Sequence, residues 1–194
     1  MKENKNLKEL AELAWNGAID LQFDNHPVHT SYEGATEINE NLLAMKGIGG
    51  FYAIDSGDGI VMIDAGSILD VERCYEEIRK WRPDTPVKAA IFTHHHVDHI
   101  FSVSKFDQEA LEKGYPTPLV YGHNMMPDHF DRYIHTNGWN TAINRRQFAI
   151  DVDKFKWPEE YRYPDVTYEN EISFKSGNLT FNLYHARGET DDHT

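Results

Sequence analysis

Apolar positions along this chain keep two rhythms, one with the period of a helix and one with that of a strand. Leu7, Leu10, Leu13 and Ala14 recur at helical spacing among the good helix formers Lys8, Glu9, Ala11 and Glu12, which predicts a short amphipathic helix over 7–19. Residues 25–36 are rich in turn formers and hold no period, so they are expected to form a loop with His26 and His29 in solvent. From Leu42 the text changes to short apolar runs broken by glycine. Leu-Leu-Ala-Met, Phe-Tyr-Ala-Ile and Ile-Val-Met-Ile follow one another, the last two separated by Ser56-Gly-Asp-Gly59, a hairpin signal. The unbroken run Ile60 to Ile63 suits a strand covered on both faces. Val71, Cys74, Tyr75, Ile78 and Trp81 then fall on one helical face, and Pro83 stops that helix.

Val87 to Phe92 reads as the next strand and runs directly into Thr93-His-His-His-Val-Asp-His99. Helical text follows over 107–113 and closes at Gly114. A short strand is expected at 119–121, helices at 127–135 and 141–150, and strands at 167–169 and 172–174. After a Ser-Gly-Asn turn, Leu179, Phe181 and Leu183 alternate with polar neighbours, the pattern of a half-buried strand. Strands and helices interleave without repeats, so the chain reads as α/β. Residues 1–36 are expected to form an N-terminal helix and loop extension, and 37–194 the main domain.

Composition narrows the function. The 194 residues are 40% hydrophobic, enough for one domain with a real core. Nineteen basic against 32 acidic side chains leave a net charge of −13, which repels a phosphate backbone and argues against a nucleic-acid partner. No apolar run of membrane-spanning length occurs, and the opening Met-Lys-Glu-Asn-Lys-Asn lacks the apolar stretch of a signal peptide. No membrane partner is expected. Cys74 is the single cysteine, so an intrachain disulfide is ruled out and a reducing cytoplasm is the expected compartment. With eleven histidines, metal chemistry here must run on nitrogen and oxygen ligands.

That chemistry concentrates at His94-His-His96-Val-Asp98-His99, four candidate ligands in six positions at the end of a buried strand. His94 and His96, two apart on extended chain, point the same way and can share one ion. Asp98 and His99, in the turn that follows, can reach a second. Imidazole with carboxylate suits zinc first, as one or two ions, with iron or manganese as alternatives. His95 is expected to point away and to serve packing or ligand orientation. Elsewhere, His123 reads as packing, His129 and His135 do not share a helical face, and Trp139, Trp157, Tyr161 and Tyr163 read as loop anchors.

With Asp64 closing Ile-Val-Met-Ile-Asp64-Ala-Gly66 thirty residues before His94, the His-x-His-x-Asp-His text resembles the metallo-β-lactamase superfamily. The resemblance implies a four-layer αββα sandwich with metals at one edge of its two sheets. It also implies that Asp64 orients the metal loop instead of binding the ion. The family's next ligand is usually the second histidine of His-x-Pro-Gly-His-x-x-Gly. Here 184–193 reads Tyr-His-Ala-Arg-Gly-Glu-Thr-Asp-Asp-His, with Glu189 in the place of that histidine and Arg187 in the place of proline. A glutamate there is similar to the alkylsulfatase branch, whose Gly-Thr-Glu-Ala-Pro-Ala-Glu can be laid on 188–193 with one gap. Glu189 is thus the expected third ligand of the first ion, with His193 as the alternative and Asp191 and Asp192 behind it.

The superfamily's bridging carboxylate and last histidine come later than this motif. The natural protein is therefore expected to be longer, the sandwich incomplete at its C-terminal end, and a second ion on Asp98 and His99 weakly held. The implied activity is a metal-dependent hydrolase whose metal-bound hydroxide attacks an ester-type small molecule, an alkyl sulfate foremost, with Asp98 orienting the nucleophile and Arg187 a candidate anion contact. A lactonase, thioesterase or β-lactamase is the alternative within the superfamily. A non-catalytic metal-binding or oligomerising module is the alternative of another class, and a redox di-iron role ranks third. Homo-oligomer formation is left open.

Overall fold

The computed structural model describes residues 7–18, 34–147 and 156–194. After α1 (Leu7–Trp15) come four strands, β1 (Gly34–Asn39), β2 (Leu42–Lys46), β3 (Gly50–Asp55) and β4 (Ile60–Ile63). Then α2 (Val71–Trp81), β5 (Val87–Ile91), α3 (Val103–Lys113), β6 (Leu119–His123), α4 (Met126–His135) and α5 (Asn137–Gln147) follow. Strands β7 (Val166–Tyr168), β8 (Glu171–Ser176) and β9 (Leu179–Tyr184) complete the described elements. The hairpin, the α2 and α3 helices and the β5, β6 and β9 strands stand where the periodicity places them. Gly34–Thr36, expected as loop, instead opens β1, because Gly34, Ala35 and Thr36 pair with Lys46, Met45 and Ala44 of β2. Helix α5 begins four residues before the expected start. His26, His29 and residues 148–150 lie outside the described residues.

Strands β1 to β7 form one sheet in sequence order. The first four, joined by tight turns, pair antiparallel; β4, β5, β6 and β7 pair parallel because helices carry the chain back between them. One face buries Phe51, Met62, Ala90 and Val120 with Cys74, Ile78, Phe106 and Phe130 from the helices. The other face buries Val61, Ala89, Ile91 and Tyr121 against the β8–β9 pair, through Leu183, Phe174 and Phe181. The Tyr121 and Phe174 rings stack at 4.0 Å across that interface. Helices, a seven-stranded sheet and a two-stranded sheet thus stack as three successive layers of the expected αββα architecture.

The register has one consequence for chemistry. Ile63 pairs with Ile91 and Ile91 with Tyr121, so the carboxyl ends of β4, β5 and β6 lie side by side. Asp64, Thr93 and His123 leave the sheet at this one edge, where parallel strands of α/β proteins present their binding residues.

Candidate metal centre

The chain leaves β5 through Phe92, whose N–H donates to Tyr121 O at 2.9 Å, and then turns, with His99 N donating to His96 O at 3.1 Å. This turn gathers imidazoles that a continuing strand would send to opposite faces. The His94 ring lies 4.6 Å from His96, 4.4 Å from His99 and 5.0 Å from His193. Glu189, on the loop after β9, brings Oε1 to 3.2 Å from His96 Nδ1 and Oε2 to 3.7 Å from His94 Nε2. One donor atom each from His94, His96 and Glu189 falls within 4.8 Å of the others, the spacing of three groups around a single cation.

Proton bookkeeping around His94 decides what that ring can do. The Thr93 hydroxyl has one hydrogen and gives it to Asp64 Oδ2 at 2.8 Å, because a carboxylate only accepts. Thr93 Oγ1 must then accept from His94 Nδ1 at 2.9 Å, which leaves the lone pair on Nε2. That Nε2 is buried and finds no hydrogen-bond partner among the described residues. Burial, with the nearby His99 and His96 charges adding to it, pushes the His94 pKa down to about 4. A neutral imidazole with a buried, unmatched lone pair is a fit for a metal ion.

His99 is held differently. Asp64 takes a left-handed backbone, with φ of 56°, and its peptide turn is tied to the segment after His99 by Ala65 N to His99 O, Phe101 N to Gly66 O and Ser102 N to Ala65 O. Its buried carboxylate accepts from Thr93 N at 2.8 Å and from His99 Nδ1 at 2.7 Å. Asp98 Oδ2 stands 3.3 Å from His99 Nε2. Burial opposes the charged ring, but the Asp64 and Asp98 carboxylates outweigh it and raise the His99 pKa to about 10. Burial likewise opposes ionisation of Asp98, and the bond from His99 overcomes it, holding that carboxyl below its ordinary range. Asp64 thus touches the turn and the His99 ring rather than the Glu189 side of the cluster.

Glu189 reaches both His94 and His96, whereas His193 approaches the His94 ring without joining that donor set. His95 points away, as its position in the alternation requires, and is bound by Asp192. Two residues of α4 also meet this ring: His129 stacks on His95 at 4.1 Å, and Arg132 reaches His95 Nε2 at 3.2 Å. Local sequence text offered no signal for this grouping, since Asp192 and His95 are 97 residues apart. A second residue set was also unmarked. A Cβ on Gly49 would stand 2.8 Å from His99 Cε1, and one on Gly47 would stand 2.5 Å from the Asp70 carboxylate, so the β2–β3 turn closes on the site only because both are glycine. His123 packs, donating from Nε2 to Glu169 O at 2.9 Å and stacking on His185 at 4.0 Å. Trp157, Tyr161 and Tyr163 pack on the core, while Trp139 and Arg187 are exposed.

The metallo-β-lactamase superfamily model matches residues 47–193. Among solved structures, the fold is similar to that of the inverting sec-alkylsulfatase Pisa1 from Pseudomonas sp., with TM-score 0.64 and 18% identity over 91% of this chain and 33% of that one. It is also similar to the metallo-β-lactamase GOB-18 from Elizabethkingia meningoseptica, with TM-score 0.59 and 21% identity over 84% of this chain and 54% of that one. The subclass B3 enzyme BJP-1 of Bradyrhizobium japonicum gives TM-score 0.56 and 13% identity over 82% and 54%. The chain therefore spans a third to about half the length of these structures. No curated protein matches it. No helix among the described residues is long and apolar enough to cross a membrane. The paired signatures at Asp64 and His94–His99, the sheet edge that joins them and the family match together establish that this chain belongs to the metallo-β-lactamase superfamily.

Proposed function

We propose that this chain carries the metal centre of a hydrolase acting on a small ester-type molecule. His94, His96 and Glu189 hold one divalent ion, zinc by the preference of this donor set, and Asp98 with His99 offers a weaker second position. His193 is the reserve ligand. A cation there supplies Lewis acidity and brings water ionisation toward neutral pH. Asp64 fixes the His99 ring with Nδ1 protonated, so that Nε2 is the atom available to a metal; Asp98 orients the attacking group.

The single observation that carries this reading is the His94 Nε2 lone pair, buried, unmatched and facing the Glu189 carboxylate. An alkyl sulfate ranks first among substrates, supported by a glutamate where the superfamily commonly has histidine and by the likeness to an alkylsulfatase. Lactones, thioesters and β-lactams follow. The test is calorimetric titration of the metal-stripped full-length protein with zinc, followed by turnover of that substrate panel. Tight uptake lost in His94→Ala and hydrolysis of one class are expected. Unchanged uptake in His94→Ala, or no turnover of any class by the loaded protein, would refute it.

A further inference from the structure

Glu189 poses a positioning problem. Its side chain is 62% exposed and sits on a loop, yet it must stand within about an ångström of one place for its carboxylate to share an ion with two histidines. Some contact other than its own burial has to hold it. Backbone bonds supply part of this: Ala186 N donates to His193 O at 2.9 Å and Thr194 N to Thr93 O at 2.7 Å. His185 Nε2 donates to Asp191 O at 2.7 Å. None of these bonds ties the loop to the histidine-bearing turn beyond Thr93.

We propose that Asp192 and Asp191 form a latch on His95 and His129 that sets where the Glu189 carboxylate stands. This rests on the reading of the metal centre given above. Asp192 is fully buried, and both its oxygens are used. Oδ2 accepts from the His95 backbone N–H at 3.1 Å, and Oδ1 accepts from His95 Nδ1 at 2.9 Å and from Thr190 Oγ1 at 2.5 Å. With Nδ1 protonated, His95 Nε2 is free to accept from Arg132 Nη2 at 3.2 Å. One residue on, Asp191 Oδ1 accepts from His129 Nε2 at 2.8 Å, and the His129 ring lies flat on His95. Two consecutive carboxylates, two and three residues after Glu189, thus grip two stacked rings, one from the metal turn and one from α4.

The geometry explains why His95 stands between the two metal-facing rings and points backwards. Fixing its backbone and its ring together holds His94 and His96 on one side and the Glu189 loop on the other in a single register. His95, His129 and Asp192 also bring donor atoms within 4.8 Å of one another. They are not read as a second ion site, because the Asp192 oxygens already accept from His95 N, His95 Nδ1 and Thr190 Oγ1, and the Arg132 guanidinium on His95 Nε2 repels a cation. Asp192 is a positioning residue that never touches substrate.

The experiment is a double-mutant cycle on zinc affinity, read by competition with a chromophoric chelator in the metal-stripped full-length protein. Asp192→Asn keeps size and one acceptor but cannot accept from both His95 protons. A ten- to hundredfold weaker zinc affinity is expected, the usual effect of losing a group that orients a ligand. Glu189→Gln weakens zinc directly, and adding Asp192→Asn to it should produce little further loss, since the latch acts through Glu189. A general loss of structure would instead add. Asp191→Asn, at the exposed end of the latch, should give a smaller loss with the same non-additivity, and it carries the test if Asp192→Asn fails to fold. Full additivity, or Asp192→Asn protein that folds and binds zinc like wild type, would overturn the latch and leave the metal centre standing. Wild-type protein that takes up no zinc would overturn both.

Discussion

Replacing Asp64 tests the site at the residue on which two of its functions meet. Its carboxylate accepts from Thr93 N, Thr93 Oγ1 and His99 Nδ1, all at 2.7–2.8 Å, and its backbone sits at φ of 56°. Asparagine tolerates that left-handed conformation and retains one carbonyl oxygen, so Asp64→Asn isolates the loss of charge and of one acceptor. Hydrogen bonds to a charged partner contribute about 1.5–3 kcal/mol each and are not additive, which puts the expected destabilisation of the metal-free protein at about 2–4 kcal/mol. For a chain of this size that lowers the melting temperature by about 5–15 °C. Asp64→Ala adds the left-handed penalty, about 1–2 kcal/mol more. The amide of asparagine turns a donor toward His99 Nδ1, so the ring shifts its proton to Nε2, the atom meant for metal. Zinc affinity at the second position, on Asp98 and His99, should fall about ten- to hundredfold. Thermal melting, chelator competition and a long-range nitrogen–proton spectrum of the His99 ring measure the three effects. Zinc affinity at that position within twofold of wild type, with the His99 proton still on Nδ1, would refute the reasoning.

Three further outcomes are expected. Gly49→Ala places a methyl 2.8 Å from the His99 ring and should cost about 1–3 kcal/mol, whereas Gly50→Ala meets only the Tyr52 hydroxyl at 3.5 Å and should be nearly neutral; melting of the two variants checks this contrast. Metal-free stability should peak near pH 6.5. His99, raised to about 10, contributes stability that is complete below its ordinary 6.5 and is lost as pH climbs toward 10, while His94, lowered to about 4, removes stability as pH drops below 6.5. Melting between pH 5 and 9 should show both limbs, and His99→Gln should erase the alkaline one. Phe106→Ala, which empties a fully buried position between α3 and the sheet, should cost about 3–5 kcal/mol without changing zinc affinity per folded molecule; a comparable loss of affinity would show that the core and the site are coupled.

The elements were legible because the burial that shapes a helix or strand recurs at the period of its own backbone. Val71, Cys74 and Ile78 mark α2 without reference to anything distant, and Ser56-Gly-Asp-Gly59 announces its hairpin. Gly34–Thr36 was not legible, because its burial comes from pairing with β2 and its composition is that of a turn. Much of the metal turn could be read for the same local reason: His94, His96, Asp98 and His99 occupy six positions, and any compact turn there brings them close.

What the sequence determined by itself, then, was the set of donor atoms and the strand that ends beneath them. Tertiary structure decided which of them converge. The Glu189 carboxylate reaches His96 and His94, with the His193 ring also 5.0 Å from His94, because the loop after β9 returns to the end of β5, a contact set by sheet packing over more than ninety residues. The Asp192–His95 pairing has the same origin. A carboxylate in an acidic turn reads as solvated until the fold buries it, and only then does its need for protons choose the partner that fixes the site.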